Sequence, residues 1–147
     1  MKFGVNTFVW VSPSTTRAVE ELAPKVKSMG FDILEIACET PELLDPPTIK
    51  VALEENQLSA IICGAFGPDR NICSADLQIR DNARNYLHWL VDSAALLGSR
   101  VICGPMYSAV GKAHIEDRDA RKQEWDLSVS EIRNIADYAG DKGIKLA

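Results

Sequence analysis

Short apolar runs alternate along this chain with longer stretches whose apolar residues recur every three or four positions. The first run, Phe3 to Val9, is followed by Ser12-Pro13-Ser14-Thr15-Thr16, a cluster of residues that cap helix N-termini. Behind it, Val19, Leu22, Ala23, Val26 and Met29 fall on one helical face, and Gly30 with Phe31 marks the stop. A second run, Ile33 to Ala37, leads through a proline-bearing loop to Asp45-Pro46, an N-cap with proline in the first turn. The helix it starts turns Ile49, Ala52 and Leu53 inward. The third run, Leu58 to Cys63, opens into a glycine-containing loop ending near Asn71. Ser74 and Asp76 then begin the longest helix, with Ile79, Ala83, Tyr86, Leu87, Leu90, Val91, Ala94 and Leu97 as its inward stripe and Gly98 as its end. After a fourth run, Val101 to Cys103, a last helix carries Trp125, Val129, Ile132, Ile135, Ala136 and Ala139 inward and breaks at Gly143. Ile144 to Ala147 begins a fifth run.

Strands alternating with helices in this way predict right-handed βαβ units and a parallel sheet. Two α/β architectures fit. A doubly wound, flavodoxin-like sheet of five strands would be complete at this length, as a self-contained binding module. A (β/α)8 barrel needs eight units and about 250 residues, so the four units and strand start here would be its N-terminal half. Ending on an apolar strand without a covering helix favours the half-barrel, a single truncated domain over residues 1–147. Its open sheet edges predict self-association.

Composition narrows the classes. Sixteen basic against twenty-one acidic residues leave −5 at pH 7, which argues against a nucleic-acid partner. No apolar run approaches a membrane span, and the N-terminus lacks a signal peptide's pattern, so a cytoplasmic protein is expected. Cys38, Cys63, Cys73 and Cys103 have no Cys-x-x-Cys or nearby histidine spacing, which predicts buried, reduced thiols and no metal site in this chain. Gly-x-Gly-x-x-Gly, Walker and Gly-x-Ser-x-Gly patterns are missing as well.

In either architecture chemistry belongs to the loops after the strand ends: Asn6 to Trp10, Cys38 and Glu39, Phe66 to Asn71, and Met106 to His114. They are rich in aromatic and amide groups and poor in acid–base clusters, which suits sugar binding. Glu35, inside an apolar strand, needs a partner, with a buried lysine or arginine or a substrate as the alternatives. Phe8 and Trp10 are either core or pocket wall, whereas His88 and His114 are expected at the solvated surface.

The stretches Lys2 to Trp10, Met29 to Ile36, Cys63 to Asn71, Gly104 to Gly111 and Ile135 to Ala147 resemble, in order, the sugar isomerase/epimerase family with the xylose-isomerase-like barrel. Within it the chain is most similar to the ketose 3-epimerases of the tagatose and psicose type. That resemblance implies proton transfer beside a carbonyl through an enediolate, with a divalent metal (Mn²⁺, Mg²⁺ or Co²⁺) held by two glutamates, an aspartate and a histidine. It places all four on later strands, so no catalytic residue and no bound metal are expected in this chain, which would be inactive alone. It assigns substrate contact, with a ketose as partner, to Asn6, where the family often has an aromatic, and to Trp10, Cys63 and Met106. Phe8, Glu35, Phe66 and Tyr107 complete the candidate sugar-contacting set.

Overall fold

In the computed structural model, which describes residues 1–112 and 117–147, five strands alternate with four helices. His114 lies outside the described residues. The order is β1 (Gly4–Asn6), α1 (Thr16–Ser28), β2 (Ile33–Cys38), α2 (Pro46–Glu55), β3 (Ser59–Gly64), α3 (Leu77–Leu97), β4 (Val101–Cys103), α4 (Arg118–Asp141) and β5 (Lys145–Leu146). All neighbours are parallel and the sheet runs β1-β2-β3-β4-β5. A flavodoxin-like sheet reverses direction and places its first strand inside, in the order 2-1-3-4-5. Strictly sequential order is instead that of a barrel, here its N-terminal four βα units and the start of the fifth strand.

Local chemistry accounts for the boundaries. Thr15, Asp45 and Asp76 cap α1, α2 and α3 by accepting from backbone N–H groups one turn on. Gly98 ends α3 in the left-handed conformation, at φ +70°. The first apolar run is strand only as far as Asn6, because the Asn6 side chain accepts from Phe8 N (2.8 Å) and caps a 3-10 turn over Thr7–Val9.

Alternation along the strands sorts the two faces of the sheet. Leu34, Ile36, Ala60, Ile62 and Ile102 are buried against the helices, where Val19, Val26, Ile49, Leu53, Leu87, Leu90 and Val91 meet them. On the opposite face Ile33, Glu35, Ile61, Cys63, Val101 and Cys103 are only half-buried. Three expectations are corrected on the last helix. Trp125 (70% exposed), Val129 and Ala136 lie outside the core, and Ser128, Ile135 and Ala139 form the buried stripe. His88 is only partly at the surface, half-buried with its ring edge-on to Tyr138 at 4.5 Å between α3 and α4.

The α3–α4 seam is ionic. Arg84 Nε donates to Glu131 Oε2 at 2.7 Å, and Arg80 stands 3.7 Å from the same carboxylate. The Arg84 hydrogen bond holds the Glu131 carboxyl below its ordinary value of 4.5. A depressed folded-state pKa means the bridge stabilises the fold above the ordinary glutamate range and loses that effect as pH falls through the folded value. Glu131→Gln is therefore expected to lower the urea midpoint at neutral pH. The gap to the parent chain should close on acidification below about pH 4; a gap independent of pH would contradict the ionic origin.

Candidate functional site

Parallel register brings four polar side chains together on the face the helices leave uncovered. Asn6 pairs with Glu35 across β1 and β2, and Cys63 pairs with Cys103 across β3 and β4. Asn6 Nδ2 donates to Glu35 Oε1 at 2.6 Å, and Asn6 Oδ1 is engaged with Phe8 N. The partner of Glu35 is thus an amide, not the lysine or arginine the sequence suggested. One carboxylate oxygen of Glu35 and the Sγ atoms of Cys63 and Cys103 all lie within 4.8 Å of one another. The Cys103 thiol beside Cys63 holds the Cys63 pKa below the usual thiol range, while the same contact pushes Cys103 up.

The other expected contacts divide. Phe8 is 48% exposed and lies outside the core, so its ring is open to a ligand. Trp10 packs against the edge of the core with the Lys25 ammonium 5.2 Å from its ring centre. Phe66 is 1% exposed, meets Tyr86 edge-on at 5.3 Å, and presents no surface to a sugar. Met106, at 6%, is likewise a core side chain. Tyr107 is exposed, but it lines a separate concavity of about 1000 Å³ with Ser108, Trp125, Ser128, Val129 and Ile132. The sequence could not decide these cases, because a loop position does not say which way a ring turns.

The loops around the strand ends are held by polar groups that carried no motif. Thr7 Oγ1 shares a hydrogen bond with Ser14 Oγ (2.8 Å) and accepts from Ala37 N (3.0 Å). Glu39 accepts from Ser12 Oγ (2.7 Å) and Ser14 N (3.1 Å). The Tyr86 hydroxyl donates to Cys38 O and accepts from Ala65 N (2.9 Å), joining the ends of β2 and β3. Burial pushes its pKa up, so it stays a neutral donor. Asn71 Oδ1 accepts from Ala109 N (3.2 Å), and Val110 N donates to Phe66 O (2.8 Å), so the loops after β3 and β4 are tied to each other.

This arrangement sets an amide, a carboxylate and an exposed aromatic ring near one another. It does not fit a hard divalent ion of the Mn²⁺ or Mg²⁺ kind, which takes oxygen donors; one carboxylate with two thiols is the wrong set. Among the described residues no helix is long and apolar enough to cross a membrane.

The sequence profile described as xylose isomerase-like TIM barrel matches residues 23–147. A ketose 3-epimerase of Arthrobacter globiformis is 29% identical over 147 residues, covering 100% of this chain and 50% of that protein. An L-ribulose 3-epimerase of Methylomonas sp. (strain DH-1) is 27% identical over 146 residues, covering 99% of this chain and 50% of that protein. The chain spans about half the length of the curated relatives it matches. Among solved structures, the D-allulose 3-epimerase from Methylomonas sp. in complex with D-allulose superposes with a TM-score of 0.87 at 27% identity, over 99% of this chain and 50% of that one.

Proposed function

Because the chain belongs to the xylose isomerase-like TIM barrel family, we propose that it forms the N-terminal half of a ketose 3-epimerase barrel and supplies one wall of the sugar pocket. The observation that carries this reading is the uncovered sheet face, where Asn6, Glu35 and Cys63 come together across three parallel strands. Asn6 is the last residue of β1 and Cys63 the next to last of β3, and barrel enzymes place their sites at that C-terminal end of the strands. The chain's part is binding and orientation. Asn6 and Glu35, already held to each other, offer an amide and a carboxylate to sugar hydroxyls, and the Phe8 ring offers an apolar face to C–H edges. Moving a proton between the two faces of a carbon needs an acid–base pair and an electrophile. In this reading those groups, and the donors of a Mn²⁺, Mg²⁺ or Co²⁺ ion, lie outside these residues. The free thiols suit a reducing, cytoplasmic setting.

The 147-residue chain, incubated with D-fructose and Mn²⁺, is expected to form no D-allulose. Turnover would place acid and base within the chain and overturn the division of labour. With β1 and β5 as open edges, the same sample is expected to self-associate, and a monomer throughout a sedimentation-velocity concentration series would remove that element.

A further inference from the structure

We infer that Glu35, Cys63 and Cys103 form a binding site for a thiophilic divalent ion of the Zn²⁺ class on the uncovered face of the sheet. It is distinct in chemistry from any hard metal the barrel's reaction uses. The inference does not rest on the epimerase reading, since it follows from donor type and register alone.

Three features carry it. The two cysteines, 40 positions apart in the chain, are direct partners across β3 and β4, so the backbone itself fixes their proximity. With the Glu35 carboxylate they place three donor atoms within 4.8 Å of one another. Donors around a tetrahedral zinc ion stand about 3.6–3.8 Å apart, given Zn–S of about 2.3 Å and Zn–O of about 2.0–2.2 Å. The donors already stand within about 1 Å of that spacing, on strands whose register is fixed. Finally, the carboxylate is already oriented: Asn6 Nδ2 holds Oε1, as hydrogen-bonding neighbours do for metal-ligating carboxylates. All three donors are half-buried, open enough to admit an ion and a water as fourth ligand. Both thiol protons pass to solvent as the two Zn–S bonds form. Cys38 and Cys73 are buried elsewhere and take no part.

The test uses the reduced chain free of chelator, with Zn²⁺ and Cd²⁺ as probes. One ion is expected to bind per chain, and Cd²⁺ is expected to bring thiolate-to-metal charge-transfer absorbance. Cys63→Ser and Cys103→Ser should each abolish that band, and Cys73→Ser should keep it. Asn6→Ala is expected to weaken affinity about 10-fold or more through loss of the orienting hydrogen bond. If a serine variant does not fold, the parent chain decides the matter by alkylation mapped with mass spectrometry, in which Zn²⁺ must protect Cys63 and Cys103 together. No stoichiometric binding, a band that survives in both serine variants, or alkylation of the pair unchanged by Zn²⁺ would each overturn the site.

Discussion

Replacing Phe66 by alanine is expected to destabilise the chain by about 3–5 kcal/mol, the range for emptying the space of a buried aromatic ring. The ring is sealed from solvent, lies edge-on to Tyr86, and closes over the helix side of Gly64, where Leu90 also reaches. Neighbouring backbone is fixed by the hydrogen bonds of Tyr86 and of Val110 N to Phe66 O, which leaves little room for collapse into the cavity. A pocket-wall phenylalanine would behave differently, since its truncation exposes little new apolar surface and costs a fraction of that amount. Urea unfolding of Phe66→Ala distinguishes the two, and a loss below about 1 kcal/mol would return Phe66 to the sugar-facing set.

Gly104→Ala is the second large effect, expected at about 3 kcal/mol or more. Gly104 sits just beyond β4 at φ +124°, a conformation costing other residues about 1–3 kcal/mol. An added Cβ would also stand 2.4 Å from the backbone oxygen of Gly64, so a backbone shift at the end of β3 would be required. Gly30→Ala separates the two contributions. Gly30 shares the positive φ (+86°) but has nothing within 4 Å of the position a Cβ would take. Its substitution is expected to cost only the backbone part, about 1–2 kcal/mol. Equal midpoints for the two variants would contradict the close approach of the β3 and β4 ends.

What the sequence made legible is what local chemistry decides. Asp45, Asp76 and Gly98 mark helix ends because their side chains, or the lack of one, act within a turn. The stripe through Leu87, Leu90 and Val91 is readable because helical periodicity is local. On α4 the same periodicity misleads at Trp125 and Val129, since an apolar face is visible in sequence but the element that meets it is not. The site lies at the far end of that scale. Asn6 and Glu35 are 29 positions apart and Cys63 and Cys103 are 40 apart, and only strand register joins them. A search for metal sites by short cysteine spacing passes over such a pair, because parallel strands put partners a whole βα unit apart.

The claim that the uncovered sheet face is a sugar-facing wall is tested most directly by a ¹⁵N-edited NMR titration of the chain with D-allulose. Binding weaker than that of a complete pocket still moves the amide resonances of the residues it touches. The expected result is a set of dose-dependent shifts confined to Asn6, Phe8, Glu35 and Cys63 and their strand neighbours, with Phe66 and Met106 unmoved. Shifts centred on Tyr107 and Trp125, or none up to saturating sugar, would contradict it.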